Sequence, residues 1–251
     1  MSGVGESTSL DLLPGIPEAK VRAILARAAG QELASGKFTS TESSSALAVN
    51  GFGAFLDAPA NLPPFPCLAD LDWPPIRVDI ERQMRFPWRG GRHPWLDAAV
   101  ETECHLVGVE SKRFEPFRDT KHAKLSEAYW RDVWGEGMAP WCALRDRLRS
   151  DPRAFRHLDA CQLVKHAYGL STEGLRIGKL PVLLYLFAEP TTGRTIMPAH
   201  LAAHRDELAK LADVVSGARV RFSACSWREW LVTFDGVTRP HANRVLERFT
   251  P

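Results

Sequence analysis

Hydrophobic positions change their period several times along the chain, and each change marks an element. The run EAKVRAILARAAGQELASG sets Val21, Ile24, Leu25 and Ala28 on one stripe, which predicts an amphipathic helix stopped near Gly36. TESSSALAVNGFGAFL predicts a second helix with a serine N-cap, and the proline-rich APANLPPFPCLADLDWPP an irregular connection. In IRVDIERQMRF, Ile76, Val78, Ile80, Met84 and Phe86 interleave with Arg77, Asp79, Glu81, Gln83 and Arg85, the two-residue period of a half-buried strand. WLDAAVE and HLVGVESK are two short runs with few residues between them. That predicts an antiparallel hairpin, because parallel strands need a long crossover. Helical patterns continue to about Tyr168. LPVLLYLFAEP then reads as a strand buried on both faces, MPAHLAAHRDELAKLADVV as an amphipathic helix, and ARVRFSAC as a strand before two short helical segments. With no internal repeat, this order predicts one α/β domain over residues 18–251, a mixed central β-sheet flanked by helices, behind a flexible polar tail of residues 1–17.

Composition fits that reading and removes several classes of function. A chain of 251 residues with 45% hydrophobic residues can bury a full core. Cys67, Cys104, Cys142, Cys161 and Cys225 are scattered and include no C-x-x-C pair, so they read as small core residues in a reducing cytoplasm, not as a disulfide framework or a zinc site. No apolar run approaches the roughly 20 residues needed to span a bilayer, so no membrane partner is expected. There is no glycine-rich phosphate loop. His200 and His204 stand a helical turn apart, but Leu201 occupies the place where a metalloprotease motif needs Glu. A net charge of +2 is too small to imply a nucleic-acid partner by itself. Two local concentrations of arginine matter more. RFPWRGGRHPW carries Arg85, Arg89 and Arg92 among aromatic residues, which suits phosphate contact or simply a solvated loop, and RDRLRSDPRAFRH is the second.

The hairpin carries the candidate chemistry. Side chains alternate along a strand, so Glu110 and Lys112 share a face with Gly108 and Leu106. A connection with an even number of residues, centred between Glu103 and Cys104, sets Glu101 opposite Leu106, Ala99 opposite Gly108 and Asp97 opposite Glu110. Like charges so placed repel unless a cation lies between them. Hard carboxylate oxygens suit Mg²⁺, which takes one or two protein carboxylates and keeps several waters. Lys112 would then stabilise charge building on a phosphate or orient a bound water. The bland alternative is a strand-end ion pair with an unrelated Asp nearby. Glu18-Ala-Lys20 and Asp119-Thr-Lys121 share the acidic-x-Lys spacing, but the first begins a helix and the second lies in a polar stretch, so only Glu110-Ser-Lys112 ends an apolar strand.

Asp97 followed by Glu110-Ser111-Lys112, in helix, strand, strand, strand, helix, strand order, resembles the PD-(D/E)xK nuclease superfamily, the restriction-endonuclease-like fold. The family's Pro-Asp pair is not literal, since Trp95 and Leu96 separate Pro94 from Asp97. SSSALAVNGFG, LDAAVE, VGVESKRFEPF, CQLVKHAYGL and PVLLYLFAEP together are similar to bacterial proteins labelled restriction endonucleases, over about Gln31 to Glu189. The resemblance implies a Mg²⁺-dependent endonuclease hydrolysing DNA phosphodiester bonds in restriction, phage defence or repair, with Mn²⁺ able to substitute. It implies Asp97 and Glu110 as ligands and Lys112 as the catalytic lysine, with Glu32 and Gln162 as supporting residues. Cutting both strands would be served by a two-fold homodimer. The second reading is a nucleic-acid-binding module that keeps the fold and does no chemistry.

Overall fold

The computed structural model describes residues 10–28, 40–118, 124–191 and 196–251. Glu32, the helix stop at Gly36 and the Asp119-Thr-Lys121 triplet lie outside the described residues. In chain order the elements are α1 (Glu18–Leu25), α2 (Ser44–Phe52), β1 (Arg77–Gln83), β2 (Trp95–Glu101), β3 (His105–Lys112), α3 (Glu115–Arg118), α4 (Ala139–Ser150), α5 (Ala160–Ile177), β4 (Leu180–Phe187), α6 (Pro198–Val214), β5 (Arg221–Ser226), α7 (Trp227–Leu231) and α8 (Arg239–Phe249). The strands form one five-stranded sheet in the order β1-β2-β3-β4-β5. β1, β2 and β3 run as an antiparallel meander, whereas β4 and β5 lie parallel to β3 and to each other. The two parallel steps are bridged by α5 and α6, as such steps require. The protein is therefore α/β with a mixed sheet flanked by helices. No helix among the described residues is long and apolar enough to cross a membrane.

Each face of the sheet closes a separate core. On one face Val78, Ile80, Ala98, Val100, Val107 and Val109 pack under α2, α7 and α8, around Phe52, Trp227 and Trp230. On the other, Ala99, Leu106, Leu183, Tyr185 and Phe187 pack under α4, α5 and α6. β4 supplies both cores, and every residue from Pro181 to Phe187 is buried, which explains its continuous apolar sequence. The second helix is capped as expected, the Ser43 hydroxyl accepting from the Ala46 N–H at 3.1 Å.

Some expectations need correction. Residues 10–17, assigned to the tail, lie against the domain: Leu10 and Ile16 are buried, and the Leu13 N–H donates to Asn50 Oδ1 at 2.8 Å. Ile76 falls outside β1 and is 55% exposed. The larger correction concerns β1 itself. Val78 and Ile80 enter the first core, but Met84 and Phe86 enter the second. The strand changes face at Glu81, which has a left-handed φ of 47°. On β2, Leu96 goes to the second core although alternation from Ala98 and Val100 would put it in the first. Ile80 pairs with Ala98 and Arg82 with Leu96, so both strands change face at the intervening position, where Glu81 falls opposite Asp97. A non-glycine residue with positive φ inside a strand costs about 1–3 kcal/mol and persists only where its surroundings fix it.

Candidate active site

The hairpin register is the expected one. Ala99 pairs with Gly108 and Glu101 with Leu106; the paired register ends at Ala98 and Val109, and beyond it the Ser111 N–H holds the Asp97 carboxylate near that of Glu110. The turn is fixed by Asp72, whose carboxylate accepts from the Thr102 hydroxyl at 2.7 Å and from the Cys104 N–H at 2.8 Å. A one-residue slip would turn the two carboxylates to opposite faces, so this anchor positions the site as well as the turn.

Helix α5 closes the site by matching its own repeat to that of β3. Four helical residues rise about 6 Å and two strand residues about 6.6 Å, so positions four apart on the helix track positions two apart on the strand. Gly108 supplies the close approach, since a Cβ there would stand 2.8 Å from Leu170 Cδ2 and 2.4 Å from Leu96 Cδ1. One turn back from Leu170, His166 Nδ1 lies 3.2 Å from Glu110 Oε2, within ion-pair distance but out of line for a hydrogen bond. One turn further back, Gln162 shares a cleft with Lys112, Glu115, His157 and Tyr185. The structure thus brings Gln162 to the candidate lysine.

Lys112 Nζ stands 2.5 Å from Glu110 Oε1, and Glu110 is buried, with only 3% of its side chain exposed. The pair is therefore an interior one, not the strand-end surface pair that the polar end of β3 first invites. Asp97 Oδ2 accepts from the Ser111 N–H at 2.7 Å, and the Ser111 hydroxyl accepts from Trp227 Nε1 at 3.2 Å. Burial, then the Glu110 carboxylate, pushes the Asp97 carboxyl well above the usual range; Lys112 opposes this shift, and Glu81 adds to it. Burial alone would pull the Lys112 ammonium down, but Glu110 and Asp97 outweigh it and hold its pKa above the ordinary value. Burial lowers His166, partly offset by Glu110. Asp97 and Glu110 are the acidic oxygens here that could hold a hard divalent cation, with the Lys112 ammonium and the His166 imidazole beside them. Among the described residues no three His, Cys, Asp or Glu side chains converge as a metal site.

The sequence pattern marks Glu81 only as a polar strand position. The signal that it lies next to Asp97 is three-dimensional, because the reversal of β1 is not written in its apolar pattern. His166 had a signal in CQLVKHAYGL, where Gln162, His166 and Leu170 recur every four residues.

Arg85, Arg89 and Arg92 are exposed on the β1–β2 connection, but the aromatic residues around them serve the core more than a ligand. Phe86 is buried against Trp88, His93, Tyr129 and Trp134. In the second basic stretch, Arg145 and Arg149 stack on Trp130, at 5.4 and 4.6 Å from its ring centre. His204 is buried with Nε2 3.3 Å from the Tyr185 hydroxyl, so it does not pair with His200 around a metal. The cysteines are free, and Cys104 is exposed, unlike the small core residue expected there. No protein-family model, curated protein or solved structure matches the chain.

Proposed function

We propose that this protein is a divalent-metal-dependent endonuclease of the PD-(D/E)xK kind, hydrolysing phosphodiester bonds of DNA. The observation that carries the reading is that the Ser111 N–H holds Asp97 of β2 against the Glu110-Ser111-Lys112 end of β3. The element order α2, β1, β2, β3, then α3, α4 and α5, then β4, with β4 parallel to β3, supports the restriction-endonuclease-like arrangement. Asp97 and Glu110 would hold Mg²⁺, which supplies a more acidic bound water and neutralises phosphate charge. Glu110 is steadied through Oε1 by Lys112, while Oε2 has only the out-of-line His166 imidazole 3.2 Å away. Asp97 is fixed by the Ser111 N–H, which holds its orientation before charge develops. Lys112 places a full positive charge where the attacking oxygen and the phosphate gain negative charge. Gln162 lines the cleft through which Lys112 meets solvent and can orient a water or a phosphate oxygen there.

A second reading, a binding module of the same fold without chemistry, is favoured by one observation: the cation now resting on Glu110 is the protein's own lysine. Incubating supercoiled DNA with the protein separates the two. Nicking or linearisation in Mg²⁺ and none in chelator supports the enzyme, whereas binding without cleavage in either condition supports the module.

A further inference from the structure

Among the described residues β1 is an edge strand, and a groove runs beside it from the flank of Glu81 to the β1–β2 connection. It has two adjoining parts, with Gln83, Arg85 and Arg176 lining both. Its acids are largely neutralised: Asp79 pairs with Arg77 at 2.9 Å and with Arg82 at 3.1 Å, and Glu173 pairs with Arg82 and Arg176. Arg85 and Arg89 also line it, are exposed, and have no ion pair or hydrogen bond among the described residues. Trp95 lines the groove too, half-buried, without an aromatic neighbour among the described residues. Glu81 lies across the strand pair from Asp97, and Trp95 stands two residues before Asp97 on β2. A cationic track with a free indole at the acidic end is the chemistry that binds an unpaired nucleic-acid strand, arginines on phosphates and an aromatic face on a base.

We propose that this groove receives an unpaired DNA strand and leads its backbone to Asp97. The inference rests on the nuclease reading for its substrate, but it is tested without cleavage. Fluorescence anisotropy in chelator, with a labelled mixed-sequence single strand and the same sequence as duplex, compares wild type with an Arg85→Ala/Arg89→Ala variant. An Arg228→Ala/Arg244→Ala variant, changed at exposed positions on α7 and α8, loses the same charge away from the groove and serves as control. The groove variant should bind the single strand about tenfold more weakly, with a plot of log affinity against log salt shallower by roughly 1.4, at about 0.7 per lost phosphate contact. Trp95→Leu should weaken binding about tenfold with an unchanged salt slope. Wild-type affinity in the groove variant, an equal loss in the control, or tighter binding of the duplex overturns the proposal. Mg²⁺-dependent cleavage by a groove variant with undiminished binding would overturn the groove and leave the nuclease reading standing.

Discussion

Replacing Lys112 by Met removes the ammonium while keeping most of the side-chain volume, and its effect on stability follows from the burial of its partner. Glu110 is 2% exposed and has Lys112 on one oxygen, with only an out-of-line imidazole near the other. Removing one member of a buried ion pair commonly costs about 3–5 kcal/mol, against roughly 0–1 kcal/mol for an exposed pair. For a chain of this length, about 2–4 °C per kcal/mol converts that cost to a fall of roughly 6–20 °C in Tm. If Asp97 and Glu110 are a metal pair, Mg²⁺ can take the place of the lost ammonium. Ligand at a hundredfold excess over Kd stabilises by about 2.7 kcal/mol, enough to restore much of the loss. In wild type the ion competes with Lys112 for Glu110, so its stabilisation should be smaller. The assay is Tm in chelator and in Mg²⁺ for both proteins. An unchanged Tm for Lys112→Met in chelator would refute the buried pair, and a fall that Mg²⁺ does not recover would refute the metal site.

Asp97→Asn should leave stability in chelator unchanged or raise it, because it removes a carboxyl already strained by burial and by Glu110, yet should abolish Mg²⁺ binding in calorimetry. Burial holds His204 down to about 3 and also lowers His166 and His241, so the folded state keeps these rings neutral while the unfolded state takes up protons near pH 6.5. Stability is therefore fully present above about pH 6.5 and falls with acid, by up to about 1.4 kcal/mol per pH unit for each ring. His204→Phe should flatten the fall of Tm with pH, and an unaltered profile would show that His204 does not contribute to it. Gly169→Ala gains about 0.5–1 kcal/mol in helix propensity, but its Cβ would stand 2.7 Å from Met84 Cβ and 3.2 Å from Met84 O, an overpacking that costs about 1–3 kcal/mol. A net loss in denaturant unfolding is expected, and a more stable variant would contradict the close packing of α5 on the end of β1.

The sequence is most legible where one physical rule acts alone. Register in the β2–β3 hairpin followed from the apolar runs flanking Thr102–Cys104, because a slip would have turned Val107 and Val109 from the first core to the second and carried Leu106 the other way. The role of Asp72 in holding that turn was not legible, since it reaches the turn from the proline-rich connection through hydrogen bonds that leave no periodic trace. β1 misled for a different reason. Ile80 and Met84 are both apolar because the sheet has a core on each face, so a change of face at Glu81 preserves the apparent two-residue period. The Glu110–Lys112 pair was legible as a pair but not as a buried one, because burial there depends on α5, which approaches through the absent side chain of Gly108. Charge at a strand end reads as solvent exposure until the covering helix is placed. The tryptophans illustrate the converse: Trp134 and Trp141 share basic surroundings in the sequence with arginines that face outward, yet both indoles are buried in the second core.

The central claim is that Asp97, Glu110 and Lys112 act together in metal-dependent hydrolysis, and single-turnover cleavage of DNA tests it most directly. Wild type, Glu110→Gln and Lys112→Met are compared at saturating Mg²⁺, with Mn²⁺, Ca²⁺ and chelator as the other conditions. Wild type should cut in Mg²⁺ and Mn²⁺, poorly in Ca²⁺, which prefers more ligands and looser geometry, and not in chelator. Glu110→Gln should be inactive, and Lys112→Met slower by about a hundred to a thousandfold with DNA affinity retained. Cleavage that persists in chelator, or that proceeds at the wild-type rate without Lys112, would contradict the account.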